Sequence, residues 1–387
     1  MPATRPDERF SHDDDRRPLG RHARVRYAVI GLGHIAQAAV LPAFRRARNS
    51  ELAALVSGDP RKLDELGDRY KVDARYTYRD LEACLAEEDI DAVYIATPNT
   101  EHAEYVHRAA RAGVHVLCEK PLGMTEGECV EMIDACERHE VLLMTAYRLH
   151  FEPANLKALE IVREGEIGEP RLFLSAFSYQ IADPQNIRLD ADLGGGPLYD
   201  IGVYCINAAR TIFGCEPVEV QAWTRRCPDG RFDEVSDTIT AHLRFPGDRL
   251  AMFACSFALA EASWYQVYGT RGDVRVEPAY EYTEGLGLRI TVDGKTRERS
   301  FSQRDQFAAE IQYFSDCLRS GRVPEPSGAE GLADVRVVRA LQQSIARDVA
   351  LRLPPTAQTR HPSPDQRIER PAQRKEPELV NARSASS

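Results

Sequence analysis

The sequence predicts an α/β chain in two parts. The first is an N-terminal Rossmann domain, a doubly wound parallel sheet. The second is a C-terminal α+β domain on a large open, mostly antiparallel sheet. Three observations lead there. Short apolar runs alternate with helical stretches from 25 to 147, the pattern of a parallel sheet covered on both faces. The first run, Val25–Ile30, enters Gly31-Leu32-Gly33-His34-Ile35-Ala36, a turn of the kind that cradles a pyrophosphate. From about 170 to 295 the runs lengthen. Ile239, Ala241, Leu243 and Phe245 there alternate with Thr238, Thr240, His242 and Arg244, giving one buried and one wet face.

In the first domain strands are expected at Val25–Ile30, Leu52–Ser57, Ala92–Thr97, Val114–Cys118 and Leu142–Ala146. Helices are expected at Ala36–Arg45, Glu101–Ala112 and Glu126–Glu137, the last opened by a capping box at Thr125 and Glu128. The second domain should carry strands at Arg171–Ser178, Val218–Thr224, Asp237–Phe245, Leu250–Phe257 and Leu288–Val292. Its helices should lie at Gln306–Arg319 and Gly328–Val349. The boundaries follow: 25–147 for the Rossmann domain and 148–353 for a substrate-binding and oligomerisation domain. Residues 1–24 and 354–387 are too polar to offset their ordering entropy, so a disordered arm and tail are expected.

With 387 residues and 43% hydrophobic content the chain can fill two cores. Its net charge of −10 argues against a polyanion-binding surface. No run approaches the roughly 20 apolar residues of a membrane span. Arg16-Arg17 precedes no apolar stretch, so no signal peptide is expected and the assigned location is cytoplasmic. The nine cysteines form no CxxC pair and lie largely in apolar segments, as reduced buried thiols do. Neither HExxH nor a Cys/His cluster occurs, so no metal is expected.

The candidate cofactor site runs along the carboxyl edge of the parallel sheet, where such folds bind ligands. Gly31 allows the tight bend, Gly33 lets backbone N–H groups approach a pyrophosphate, and His34 and Ile35 open the helix. The second strand ends Ser57-Gly58-Asp59-Pro60-Arg61-Lys62. Ser57 can bond a ribose 2′-phosphate, and Arg61 or Lys62 can neutralise it, which selects NADP. Asp59 would serve NAD if it turned inward. Thr97, Pro98, Asn99 and His102 close the fourth strand as further cofactor contacts, with no chemistry assigned to His102. Glu119 and Lys120 follow the fifth strand, ahead of Pro121.

The candidate catalytic group is Lys120, Asp200 and Tyr204. Asp200 and Tyr204 lie four apart after the triglycine 194–196, so they share a helix face. A free phenol titrates near pH 10, and a neighbouring ammonium favours its ionised form. That makes Tyr204 a proton acceptor when Lys120 is close.

The strings GLGHIA, EKPL, YRLHFEP and GGGPLYDIGVY resemble the Gfo/Idh/MocA oxidoreductase family over roughly 25–353. Within that family they are most similar to the glucose–fructose-oxidoreductase and NADP-dependent aldose 1-dehydrogenase branch. The resemblance implies a catalytic lysine at Lys120, an orienting acid at Asp200 and a general acid/base at Tyr204. It also implies that Ser57, Lys62 and Tyr78 meet the NADP adenosine phosphate, and that Tyr147, Arg148 and Arg188 line the substrate pocket. The implied activity is hydride transfer between nicotinamide and the anomeric carbon of an aldose, with the open sheet joining subunits into a homodimer or homotetramer. A trans-dihydrodiol dehydrogenase on the same site and a non-catalytic NADP-binding regulator are the alternatives.

Overall fold

The computed structural model describes residues 24–226, 228, 230–356, 362–373, 375 and 377–382. The arm expected over 1–24 therefore lies outside the described residues except for Arg24.

Six short strands form the first sheet: β1 Val25–Ile30, β2 Ser50–Val56, β3 Ala74–Tyr76, β4 Ala92–Ile95, β5 His115–Glu119 and β6 Leu143–Ala146. Their order is β3-β2-β1-β4-β5-β6 and every pairing is parallel. The order reverses at β1 and β4, which opens a crevice at their carboxyl ends. β1, β4 and most of β5 are buried on both faces, as continuous apolar runs in a covered sheet should be. One covering layer is completed by a late helix, Gln306–Ser320, which lays Phe307, Ile311, Phe314 and Leu318 against this sheet.

The second sheet has nine strands: β7 Pro170–Gln180, β8 Glu219–Arg225, β9 Thr238–Phe245, β10 Arg249–Ser256, β11 Ala258–Gly269, β12 Gly272–Val276, β13 Leu286–Val292, β14 Lys295–Phe301 and β15 Leu351–Arg352. Their order is β14-β13-β12-β11-β7-β10-β9-β8-β15. Pairings are antiparallel apart from β7 with β10, so the expected mostly antiparallel sheet is present. In this sheet β11, β12, β14 and β15 are the strands the sequence concealed. β14 is exposed along its length except at Phe301, so it carries no alternation. β11 slips register against β7 between Ala258 and Ala262, which breaks its period.

One face of this sheet packs on the helices Pro153–Arg163, Val203–Phe213 and Gly328–Arg347. The other face is open and carries Trp223, Leu250, Met252 and Tyr268 partly exposed.

The described residues of the expected tail include some that its composition did not lead one to expect ordered. Gln366 and Val380 are buried, and both are held by specific hydrogen bonds to the body of the protein. A polar, proline-rich segment can order without a core of its own when the folded body supplies its partners.

Candidate active site

The crevice at the switch point fits a dinucleotide. Gly31 has φ +91°, and a Cβ there would sit 2.6 Å from the Ala96 carbonyl oxygen, so only glycine closes the β1 turn against β4. A Cβ on Gly33 would meet nothing within 4 Å. That is space left for a ligand beside the turn. Around it the Nδ1 of His34 and the hydroxyl of Thr97 are buried without a hydrogen-bond partner, which is what donors and acceptors awaiting a ligand look like. Burial and the neighbouring Arg188 push the His34 imidazole down to about 4, so it is neutral at physiological pH. The stretch after the turn is a π-helix over Ala36–Val40 rather than a regular α-helix. Such widened turns recur at functional sites.

At the far end of the crevice Ser57 is buried just past β2. Its hydroxyl accepts from the Asp59 N–H at 3.2 Å. The ring of Tyr78 lies 3.2 Å from where a Cβ of Gly58 would stand, so this glycine lets the aromatic wall approach. Asp59 faces the helix Pro60–Tyr70, whose first N–H groups it caps through Arg61 and Lys62. Arg61 is engaged by Glu65 at 2.5 Å. The Lys62 ammonium makes no hydrogen bond or ion pair among the described residues, and its charge acts on the Asp59 carboxylate.

The chemistry is gathered beside the crevice. Lys120 follows β5 and is joined to Pro121 by a cis bond. Its ammonium donates to the Asp200 carboxylate at 3.1 Å and to the Asp200 carbonyl at 2.7 Å. The other carboxylate oxygen accepts from Arg188 Nε at 2.8 Å and from the Tyr179 hydroxyl at 3.0 Å. Burial opposes charge on Asp200. Lys120 and Arg188 outweigh it and hold the carboxyl well below its ordinary range.

Tyr204 lies between two cations. Lys120 Nζ is 4.8 Å and the Arg148 guanidinium 5.0 Å from its ring centroid. Burial works against both charges, and Tyr204 is the strongest influence restoring each. Arg148 is itself fixed by Gln306 Oε1 at 2.5 Å and the Tyr280 carbonyl at 2.6 Å. Phe177 meets the Tyr204 ring edge-on at 5.7 Å.

The local chain explains this convergence. Asp200 sits in a π-turn, Leu198–Gly202, that runs into the α-helix Val203–Phe213 carrying Tyr204. The two residues do share the site, though through a widened turn and not a regular i,i+4 face. The triglycine is pinned, contrary to the flexibility its composition suggests. Gly195 N donates to Asp190 O and Gly196 N to Arg188 O, both at 2.8 Å, while Asn99 donates to Gly194 O at 2.9 Å. These bonds place Arg188 and bridge the two domains.

Three sequence expectations need correction. His102 is fully buried, with its ring nitrogens 2.9 Å and 3.2 Å from the carbonyls of Pro121 and Thr97. It braces two crevice loops from behind and offers nothing to a cofactor. Tyr147 is also in the core, buried and stacked on His150 at 5.4 Å. Glu119 points inward, where it accepts from the Tyr94 hydroxyl at 2.8 Å, with Lys120 alone continuing into the site. Tyr179 was missed, although Phe173, Ser175, Phe177 and Tyr179 alternate along β7 and a hydroxyl on that apolar face was its signal.

A crevice fitted to a dinucleotide, with lysine, carboxylate and phenol converging at its edge, defines a nicotinamide-dependent oxidoreductase. Residues 25–147 match the model of the oxidoreductase family with NAD-binding Rossmann fold, and 155–275 match the GFO/IDH/MocA C-terminal domain. The chain belongs to the Gfo/Idh/MocA oxidoreductase family. It is 35% identical to D-xylose 1-dehydrogenase [NADP(+)] of Haloarcula marismortui over 85% of this chain and 93% of that protein. Among solved structures, aldose-aldose oxidoreductase from Caulobacter crescentus, complexed with glycerol, superposes with a TM-score of 0.82 at 37% identity. That match covers 85% of this chain and all of the other. A 3-ketoreductase from Actinomadura kijaniata, solved with NADP and TDP-benzene, gives 0.77 at 29% identity over 83% of this chain and 98% of its own.

Proposed function

We propose that this protein is an NADP-dependent aldose dehydrogenase that oxidises the anomeric carbon of a pyranose to a lactone. The observation that carries this reading is the Tyr204 ring held between Lys120 and Arg148, with Lys120 tied to Asp200. The names of the xylose dehydrogenase and aldose-aldose oxidoreductase relatives support the sugar class. Gly31, Gly33, His34, Ile35, Thr97, Pro98 and Asn99 would hold the pyrophosphate and nicotinamide half. Ser57, Gly58, Lys62 and Tyr78 would hold the adenosine phosphate.

Bound nicotinamide supplies the two-electron acceptor. The protein's part is proton management. Tyr204 takes the proton of the anomeric hydroxyl, and the two cations beside its ring stabilise negative charge there. Lys120 donates a hydrogen bond to the substrate oxygen and holds it toward the crevice. Asp200 fixes Lys120 and Arg188 in one geometry, so neither reorients during the reaction. Arg188 and Arg148 border the substrate space.

The reduction of a second sugar by the same enzyme is a further reading, favoured by the name of the aldose-aldose relative. NADPH absorbance on mixing the protein with xylose, glucose and other aldoses tests both. Turnover that needs added NADP gives the dehydrogenase. A sugar-induced band without added NADP, bleached by a second sugar, gives the coupled enzyme. No absorbance change with any aldose would sink the sugar assignment.

The cysteines of the described residues are free thiols, all but Cys215 buried, which suits a reducing compartment such as the cytoplasm. The partly exposed Trp223, Leu250, Met252 and Tyr268 on the open sheet are assigned to contact with a second copy of the chain.

A further inference from the structure

The described residues between 362 and 382 make contacts that start on the second domain and end on the dinucleotide turn. Pro362 accepts from Arg163 Nη1 at 2.7 Å, and the Gln366 amide donates to the Glu325 carboxylate and carbonyl at 2.6 Å and 2.9 Å. Arg370 O accepts from Asp305 N at 3.0 Å, and Arg370 Nε donates to Gln312 at 2.7 Å. Further on, Arg69 Nη1 donates to Glu378 O at 2.5 Å.

Two contacts at its end fall on the residues that shape the cofactor crevice. The buried Gln37 amide accepts from Val380 N at 2.7 Å and donates to Val380 O at 2.9 Å. The same Gln37 nitrogen donates to Leu32 O, inside the glycine turn, at 2.9 Å. One side chain therefore clamps the turn on one side and the segment on the other. A buried amide that lost Val380 would keep donors and acceptors it could not satisfy, so the clamp works only with the segment docked. The second contact is Asn381, whose side chain donates to Asp59 Oδ2 at 3.0 Å. Asp59 Oδ1 already caps the helix Pro60–Tyr70. Both oxygens of the acid nearest the ribose end are thus occupied away from the crevice.

We infer that residues 378–381 form a strap that sets cofactor choice: Gln37 and Val380 stiffen the dinucleotide turn, and Asn381 keeps Asp59 from reaching a ribose diol. The strap favours NADP by withholding the acceptor that NAD would use, and it slows release of either dinucleotide by bracing the turn. The inference rests on the placement of the ribose phosphate at Ser57 and Lys62 given above.

Equilibrium binding of NADP and of NAD, read by quenching of protein fluorescence in the full chain, tests it without turnover. Asn381 is exposed, so Asn381→Ala leaves the core untouched. The expected result is a fall of several-fold in the NADP-to-NAD affinity ratio, mainly through tighter NAD. Adding Asp59→Asn to that variant should cancel the gain for NAD, because the freed carboxylate is then gone. A chain stopped after residue 377 should bind both dinucleotides at least fivefold more weakly. An NADP-to-NAD ratio within twofold of wild type in Asn381→Ala, together with affinities for both dinucleotides within twofold of wild type in the shortened chain, overturns the strap. Lys62→Ala in the full chain distinguishes the failures. If it weakens NADP while the strap variants do nothing, the phosphate site stands and the strap falls. If it too leaves NADP unchanged, the placement of the phosphate falls and the strap's argument with it.

Discussion

The two ends of the crevice are built differently. At the catalytic end each charge is answered. Asp200 takes bonds from Lys120, Arg188 and Tyr179, and Arg148 is fixed by Gln306 and Tyr280. At the adenosine end there is a buried serine, an aromatic wall and one lysine whose ammonium makes no hydrogen bond or ion pair among the described residues. A reacting centre needs groups held to a fraction of an ångström, which multiple bonds from several elements provide. Discrimination between two cofactors that differ by one phosphate needs only a charge difference in the right place. Substitutions at the first end should therefore act on rate and folding together. At the second end they should act on affinity alone.

The largest effect should follow Tyr204→Phe, which removes the proton acceptor and keeps the ring between its cations. We expect kcat to fall by about 10²–10⁴-fold, the usual worth of general acid–base catalysis. The NADP dissociation constant should stay within twofold. Steady-state kinetics beside fluorescence titration reads both, and a variant with wild-type kcat would falsify the assignment.

Asp200→Asn tests whether the catalytic end also stabilises the fold. It leaves Lys120 and Arg188 facing a neutral amide in a site where their side chains are only 10% and 20% exposed. Breaking such a pair costs about 3 kcal/mol. The pH dependence has a definite sign. The native carboxyl holds its proton less readily than the unfolded one, so the unfolded state binds more protons in acid. Its stabilisation is fully present above the ordinary carboxylate range, begins to drain as pH falls through that range, and goes on draining down to the depressed native one. Denaturant unfolding at pH 7 and pH 3 should show a smaller acid loss in the variant than in the wild type. Equal losses would mean that the depressed carboxyl contributes nothing to folding.

How much of this difference was legible beforehand follows from its physics. β1 is found at its predicted bounds, since a short apolar run that ends at a glycine turn leaves little freedom. Lys120, Asp200 and Tyr204 could be named because each follows a feature visible in sequence: a strand end, a proline, a glycine run. Burial could not be read. His102 and Tyr147 stand in the right segments and point the wrong way, because one backbone rotation decides between crevice and core. The strap was hidden for a related reason. Composition measures what a segment can bury by itself, whereas Val380 is ordered by a glutamine more than three hundred residues away. Arg148 was found through family likeness alone, since nothing in its neighbours announces the ring it lies against.

A smaller effect separates the ends most cleanly. Lys62→Ala should weaken NADP binding by about tenfold, roughly 1.4 kcal/mol for an exposed charge on a phosphate. NAD should bind as before and kcat at saturating NADP should hold. A parallel loss for NAD would indicate general damage to the second strand's end and remove the charge argument.

The smallest effect on chemistry belongs to the open sheet, far from either end. Met252 and Leu250 sit on the outer face of β10, beside His242 and Arg244 of β9, and Trp223 of β8 packs edge-on against His242 at 5.3 Å. A surface with this much apolar area on a regular sheet is poorly suited to water. Met252→Glu places a charge there without touching the crevice. Sedimentation should then show a smaller assembly with kcat per chain kept within about threefold of wild type. Unchanged sedimentation would move subunit contact away from this face. A large loss of kcat would mean that the second copy supports the catalytic end, which would join the two regions whose independence the other variants probe.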